Sequence, residues 1–252
     1  SDKMGLYRTE GLAVEYLGFN TKKKPFDDVR VRKAISHGIE REAIIKGVYN
    51  NVGTLANVAM SPKVLGYSDK VKAYDYDLNE AKKLLKEAGY EKGLKVTLLT
   101  SDRKERINMA EVMQSQLKGI GINVKIQVME YGAYIDMIEK GEHDMAIGGW
   151  GNATGDGDYN QYNLFHSASQ GAAGNHFYYS NPDVDKMIES ARKETDEQKR
   201  LKLYEEVMQK EIDDAVYVPI RNYEHLAAYS KNVSGFWLNA ANYLMIDDVV
   251  IK

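Results

Sequence analysis

The sequence has no cysteine among its 252 residues, and four further features are also missing. Without cysteine the chain has no disulfides, no thiol nucleophile and no thiolate metal site. It has no run of about 18 apolar residues, so no membrane span is predicted. Lysine and arginine are spread along a chain of net charge −3, which leaves no clustered basic face for nucleic acid. The five histidines lack metal-ligand spacing. No signal peptide is visible from Ser1, which predicts either a cytoplasmic protein or a chain without its front.

The composition that remains is that of a globular protein. Hydrophobic residues make up 43% of the chain and charged residues 28%, which is enough for one large core or two modest ones. Apolar or alternating segments at 94–100, 122–129 and 144–150 predict strands, and the segments 103–119 and 131–141 between them have helical spacing. This strand–helix–strand–helix–strand order predicts a βαβαβ unit with parallel strands.

Other elements have recognisable boundaries. Asp77 and Asp196 occupy predicted N-cap positions, and Pro182 lies in the first turn of a third helix. The glycine- and asparagine-rich segment 151–181 is predicted to be one long loop. Further strands are predicted at 12–20, 215–220, 226–230 and 243–251, and further helices at 27–39 and 40–48.

A glycine-rich segment, 148–162, begins in the last strand of the βαβαβ unit. As a calcium loop starting at Asp156 it has Gln161 where glycine is required and Ser167 where glutamate is required. It has no P-loop lysine, and Thr154 replaces the third glycine of a dinucleotide loop. Two interpretations of Asp156 and Asp158 stay open: an acid–base pair, or side chains that cap their own loop through backbone amides.

The same segment lies where ligands bind in open α/β sheets, outside the carboxyl ends of the parallel strands. Trp150 offers a flat apolar wall, although it would serve equally as a core residue closing the sheet. Neighbouring glycines let a ligand approach the backbone closely. Because the sequence has no nucleophile motif, cofactor loop or metal set, we predict binding rather than catalysis. We therefore assign no catalytic residue, no metal ligand and no cofactor.

Five segments, in the right order, resemble the second half of the family 5 solute-binding proteins. These proteins are the oligopeptide-, dipeptide- and nickel-binding receptors of bacterial ABC importers. The resemblance runs from about Leu12 to the C-terminus. It is carried by the segments 25–44, 76–90, 116–150, 181–207 and 218–237.

The resemblance implies an α/β fold: a periplasmic-binding-protein-like lobe of the type II family 5 solute-binding fold, with the βαβαβ unit as its core. It implies that the chain is a fragment of a two-lobed protein that closes on its ligand by hinge motion. Residues 20–221 would form the second, ligand-binding lobe. Residues 1–19 would be a crossover strand and remnant of the first lobe, and 222–252 the other crossover with a C-terminal piece of the first lobe.

The resemblance also implies which residues line the ligand site. In the family, an aspartate three residues after the tryptophan grips a peptide's α-amine, and Ala153 stands at that place here. An arginine near the end of strand 94–100 binds the carboxylate of short peptides, whereas here Thr100 and Ser101 stand there with Arg103 close by. The predicted ligand contacts are Trp150, Gly151, Asn152, Ala153, Thr154, Asp156, Tyr131, Ser101 and Arg103.

Both departures favour a longer peptide held by its backbone over an end-clamped dipeptide, and Asp156 would take over the amine. The predicted function is a non-enzymatic receptor lobe that captures oligopeptides for an ABC importer. Its predicted location is extracytoplasmic, either periplasmic or lipid-anchored on the outer face of the cell membrane. The expected partners are the oligopeptide and the membrane permease. No nucleic-acid partner is expected, and membrane contact would be only through a lipid anchor that this chain lacks.

Three alternatives remain at this stage. The first keeps the family but changes the ligand to a nickel chelate or another small solute. The second is an α/β hydrolase-like enzyme that uses Asp156 or Asp158 in acid–base chemistry. The third is a complete small domain that acts as a signalling partner.

Overall fold

The computed structural model describes residues 3–252, so Ser1 and Asp2 of the predicted segment 1–19 lie outside the described residues. The strands are β1 (Met4–Phe19), β2 (Thr54–Leu55), β3 (Leu94–Ser101), β4 (Ile122–Met129), β5 (Met145–Gly151), β6 (Tyr217–Ser230), β7 (Val233–Ser234), β8 (Trp237–Leu238), β9 (Leu244–Met245) and β10 (Val250–Ile251). The helices are α1 (Val29–Gly38), α2 (Arg41–Tyr49), α3 (Leu78–Glu87), α4 (Lys104–Lys118), α5 (Tyr131–Glu139), α6 (Gly157–Phe165), α7 (Pro182–Lys193) and α8 (Glu197–Asp213), with a 3₁₀ turn at Ser167–Ser169.

One six-stranded mixed sheet, in the order β2-β6-β1-β5-β3-β4, organises the chain. The predicted βαβαβ unit is confirmed: β3 lies between β4 and β5 and is parallel to both. Strand β1 pairs antiparallel with β5 on one side and with β6 on the other. The two long strands therefore add an antiparallel half to the parallel unit.

The two faces of the sheet carry separate cores. Alternation along β1 sends Leu17 and Phe19 to one face and Val14 and Tyr16 to the other. Helices α1 to α4 cover the first face, and α6 to α8 cover the second. Each fully buried Leu, Ile or Phe side chain contributes about 1.5–3 kcal/mol relative to an exposed one, so these cores fix the positions of the strand ends.

Helix boundaries follow the capping residues seen in the sequence. Asp77 accepts hydrogen bonds from the backbone N–H groups of Asn79 and Glu80, and Asp196 accepts one from that of Lys199. Asn181 caps α7, whose first residue is Pro182. Both predicted aspartate caps are confirmed.

The predicted uninterrupted loop over 151–181 is wrong, because it contains α6 and a 3₁₀ turn. Helix α6 starts at a glycine and has few strong helix formers, so local propensity gives little signal. Its position is set by distant contacts instead. Leu164 and Phe165 are buried in the second core, and the Asn160 side-chain amide donates to the carbonyl of Ala59 at 2.6 Å.

The four further strand predictions also change. Residues 217–220 of the first predicted segment and all of 226–230 belong to one continuous strand, β6, because β1 pairs with β6 along most of its length. The predicted strand 12–20 starts earlier, at Met4, for the same reason. The predicted strand 243–251 is instead two short strands, β9 and β10, which pair with different partners.

Candidate ligand-binding site

The register of β3 against β4 brings two predicted site residues together at the carboxyl edge of the sheet. Ser101 lies opposite Met129, so the residues that follow, Arg103 and Tyr131, stand next to each other at the starts of α4 and α5. The Arg103 guanidinium lies 5.4 Å from the centroid of the Tyr131 ring, which is a cation–π distance. Both side chains are exposed and therefore accessible to a ligand.

Trp150 is partly buried. It therefore fits, in part, both interpretations drawn from the sequence: an apolar wall for a ligand and a core residue that closes the sheet. Its ring packs against the second core and lies 5.4 Å from the ring of Tyr159 between centroids. Gly174 makes room for it, since a Cβ there would be 3.1 Å from the edge of the indole. The indole Nε1 is buried and has no hydrogen-bond partner within residues 3–252. Trp150 is thus a fixed wall rather than a mobile surface ring.

Strand β5 has an open edge next to Trp150. Strand β3 pairs with β5 only at Met145 and Ala146, whereas β1 pairs with β5 as far as Gly151. From Ile147 to Gly151 the β3 side of β5 therefore has no strand partner within residues 3–252. Gly149 and Gly151 are exposed there. A ligand backbone can approach such a glycine-rich strand edge closely.

The loop after β5 is held by Asn152, whose buried side chain makes five hydrogen bonds. Its Oδ1 accepts from the backbone N–H groups of Thr154 at 2.9 Å and Gly155 at 2.6 Å, and from the hydroxyl of Thr154 at 3.3 Å. Its Nδ2 donates to the carbonyl of Asp156 at 2.7 Å and to Oδ1 of Asn160 at 2.6 Å. Asn152 thus shapes the loop from within. Gly151, Ala153 and Thr154, which are next to Asn152 in this segment and are also predicted ligand contacts, are exposed.

Asp156 is engaged by protein groups at both carboxylate oxygens. Arg200 donates to both oxygens, at 2.7 Å each, and the backbone N–H of Asp158 donates to Oδ1 at 2.9 Å, which caps α6. Burial alone would raise the pKa of Asp156, but the hydrogen bonds from Arg200 hold that pKa below its ordinary value. The capping interpretation is confirmed for this residue. No carboxylate oxygen is left without a charged partner to receive a ligand amine.

Asp158 forms a second ion pair, with the Nε atom of Arg192 at 3.0 Å from its Oδ1. Burial raises the pKa of Asp158 although Arg192 opposes the shift. Asp156 and Asp158 thus have their pKa values moved in opposite directions. Each carboxylate is nevertheless bound to its own arginine.

Ser101 occupies a different position from the exposed site residues. It is fully buried, and its Oγ has no hydrogen-bond partner within residues 3–252. The structure therefore brings Arg103 and Tyr131 together in solvent, whereas Ser101 is buried at the end of β3. Gly151, Ala153 and Thr154 form a second exposed group at the end of β5, next to the partly buried Trp150.

Sequence reasoning missed a charged cavity of about 390 Å³ at the junction of β1, β6 and the start of α4. We call it the charged cavity; residues that line it include Glu15, Tyr49, Arg103, Arg106, Arg221 and Tyr223. One signal was present, because Glu15 is the only charged residue of the apolar segment 12–20. Its arginine partners lie too far along the chain for spacing to reveal them.

Comparison with known proteins identifies the family. A family model described as "Bacterial extracellular solute-binding proteins, family 5 Middle" matches residues 1–172. The chain belongs to this family. One similar relative is the dipeptide-binding protein of Escherichia coli strain K12, which is 34% identical over 99% of this chain and 48% of that protein. Another is the glutathione-binding protein GsiB of Salmonella choleraesuis, which is 30% identical over 98% of this chain and 49% of that protein. Among solved structures, DppA from Helicobacter pylori in complex with peptide STSA has a TM-score of 0.88 at 31% identity, over 97% of this chain and 49% of that one.

Membership of family 5 confirms the predicted resemblance and the α/β fold class. Proteins of this family are transport receptors and not enzymes, so the acid–base alternative for Asp156 and Asp158 is set aside. The chain spans about half the length of the curated relatives it matches. No helix within residues 3–252 is both long and apolar enough to cross a membrane.

Proposed function

We propose that this chain is one lobe of an extracytoplasmic receptor that captures oligopeptides and delivers them to the membrane permease of an ABC importer. Residues 20–221 form the ligand-binding lobe in this proposal. Segments 1–19 and 222–252 cross to, and contribute to, the other lobe. The ligand lies in the cleft between the two lobes, where each lobe supplies one wall.

The open edge of β5 is the observation that carries this proposal. An extended peptide adds to such an edge through main-chain hydrogen bonds, which give affinity without depending on side chains. Gly149 and Gly151 add no side chain on one face of the strand, and Trp150 supplies an apolar wall on the other face. Thr154 and the Arg103–Tyr131 pair would contact the ligand around this edge.

The polar loop supports a backbone-held ligand over a dipeptide clamped by its ends. Ala153 stands at the position where the family has an aspartate that binds the α-amine of the peptide. Asp156, the remaining candidate for the amine, has both oxygens on Arg200. We therefore assign Asp156 and Asn152 to loop support, and we expect no strong requirement for a free α-amine.

A compact solute is the second candidate, and the charged cavity favours it. Its volume of about 390 Å³ falls within the range of small-molecule sites, roughly 300–1,000 Å³. A relative described as glutathione-binding is also among the similar proteins. Such a ligand would fill the cavity and would gain little from the edge of β5.

A length series distinguishes these candidates. Calorimetric titration of the complete receptor with di-, tri-, penta- and heptapeptides of one composition should give affinity that rises at least about tenfold from dipeptide to pentapeptide, or about 1.4 kcal/mol. A pentapeptide with N-methylated backbone amides is the matched control and should lose most of that gain. Tight binding of the dipeptide alone, or of a metal chelate with no peptide binding, would overturn the oligopeptide assignment.

A further inference from the structure

The loop that follows β5 is held by a segment that contains none of the proposed ligand contacts. We call residues 152–156 the ligand loop, and residues 56–66, between β2 and α3, the connector. The backbone N–H of Leu65 donates to the carbonyl of Gly155 at 2.9 Å, and the Leu65 carbonyl accepts from the N–H of Gly157 at 2.7 Å. The connector therefore binds the backbone on both sides of the aspartate that caps α6.

Asn160 makes a third link between the connector and the ligand loop, through its side chain. Its Nδ2 donates to the carbonyl of Ala59 at 2.6 Å, and its Oδ1 accepts from Nδ2 of Asn152 at 2.6 Å. Asn160 is fully buried, so removal of its amide would take a hydrogen bond from two buried polar groups. The position of Asn152, and with it that of the ligand loop, therefore depends on Ala59.

Ala59 is in turn held by a single buried hydroxyl. Its backbone N–H donates to the Tyr217 hydroxyl at 3.0 Å, and that hydroxyl donates to Oε2 of Glu211 at 3.0 Å. Tyr217 on β6 and Glu211 on α8 are both fully buried. The hydroxyl thus uses its proton for one partner and a lone pair for the other. A continuous buried chain of hydrogen bonds runs from α8 through β6 and the connector to the ligand loop.

Asn152 is the point where this chain meets the residues that face the ligand. Its Oδ1 accepts from the N–H groups of Thr154 and Gly155, and its own backbone N–H donates to the carbonyl of Leu12 at 3.2 Å. Ala153 and Thr154 are exposed, so packing alone does not fix them. A loop that is already held in its binding conformation loses less conformational entropy when the ligand binds.

We propose that Asn160 and Tyr217 are positioning residues, which hold the ligand loop in its binding conformation without touching the ligand. This inference rests on the proposed receptor function and adds two buried residues to its binding mechanism. Without either side chain the loop adopts other conformations, and the apparent affinity falls by the fraction of molecules in which the loop is in place. The loss should lie mainly in the association rate constant, because the bound complex keeps the same ligand contacts.

Stopped-flow measurement of pentapeptide binding to the complete receptor tests both residues. Asn160→Ala should weaken the affinity about 5–20-fold and Tyr217→Phe about 3–10-fold, as expected for the loss of one or two buried hydrogen bonds. Slower association should account for most of each loss, and the dissociation rate constant should stay nearly unchanged.

The matched control is Tyr179→Phe. It removes a hydroxyl from the same core, but this hydroxyl binds Oδ2 of Asp214 at 2.6 Å and has no bond to the connector. Affinity should therefore equal that of the wild type. Glu211→Gln should also keep wild-type affinity, because the amide oxygen still accepts from the Tyr217 hydroxyl, whereas Glu211→Leu should behave like Tyr217→Phe.

Hydrogen–deuterium exchange of the ligand loop, measured without ligand where all variants are folded, separates positioning from a general loss of stability. Asn160→Ala and Tyr217→Phe should speed exchange at Thr154 and Gly155, and Tyr179→Phe should not. If both variants match Tyr179→Phe, or if exchange rises while affinity is retained, this inference is overturned and the peptide proposal stands. If the wild type binds no peptide, the peptide proposal falls; faster exchange in the two variants would then still support the positioning role, and unchanged exchange would overturn it.

Discussion

Replacing Asp156 with alanine is expected to lower the free energy of unfolding by about 2–3 kcal/mol. Loss of a helix N-cap costs about 1 kcal/mol, and loss of hydrogen bonds to a charged partner in this half-buried position costs about 1–2 kcal/mol. Asp156→Asn retains the cap but not the ion pair, so about 1–2 kcal/mol should be lost. Arg200 keeps its bonds to the carbonyl of Ala191 and the hydroxyl of Tyr204, which limits the loss.

A double-mutant cycle measures the pair itself. Urea unfolding of the wild type, Asp156→Asn, Arg200→Met and the double variant should give a coupling energy of about 1–2 kcal/mol between the two side chains. The exposed pair Asp136–Lys140 is the matched control, and its removal should leave stability unchanged within error. Peptide affinity of the complete receptor should change less than about threefold in Asp156→Asn. Unchanged stability together with a large loss of peptide affinity would refute the structural role and restore Asp156 as a ligand-binding residue.

Three further predictions concern buried groups. Burial lowers the pKa of His143 and of His176 to about 4. The contribution of these neutral imidazoles to the free energy of unfolding is therefore present above about pH 6.5 and lost as pH falls to 4, by up to roughly 3 kcal/mol each. Urea unfolding at pH 7 and pH 5 should show a smaller loss of stability for His143→Gln than for the wild type. An equal loss in both proteins would contradict this prediction. Burial raises the pKa of Glu211 in the folded protein. The stability that its neutral form contributes is therefore fully present below the pKa of Glu211 in the unfolded chain, and it is lost as pH rises through the higher pKa of the folded state. Glu211→Gln should therefore stabilise the protein by about 1 kcal/mol or more at pH 8 and less at pH 4.5, and no gain at pH 8 would argue against it. Gly174→Ala should destabilise the protein by about 1–3 kcal/mol, because φ at this residue is +132° and the added Cβ would lie 2.9 Å from the carbonyl oxygen of Asn163. A red shift of the Trp150 fluorescence should accompany the loss of stability. An unchanged spectrum together with wild-type stability would refute the tight packing around Trp150.

The elements that the sequence predicts well are those whose signals are local. Alternation of Ile122, Val124 and Ile126 with polar residues marks a strand with one buried face, and Asp77 and Asp196 mark helix starts. These signals place β3, β4 and β5 in a parallel unit, and the carboxyl edge follows from that order. The positions of the partly buried Trp150 and of the exposed residues Arg103 and Tyr131 at this edge therefore follow from topology alone.

The parts that escaped prediction depend on contacts between distant residues. Helix α6 is held by a bond from Asn160 to the carbonyl of Ala59, which no local pattern encodes. Arg200 reaches Asp156 across 44 residues and changes that carboxylate from a candidate ligand group into a support for the loop. Glu15 and Arg221 lie 206 residues apart in sequence and meet only because β1 and β6 are neighbours in the sheet.

Native mass spectrometry of the complete receptor, purified without denaturation, identifies the class of ligand that the receptor binds. We expect co-bound masses that fragment as peptides, with a length range above the dipeptide. A metal-bearing adduct, or one small solute as the only bound species, would contradict the oligopeptide assignment while leaving the chain in its family.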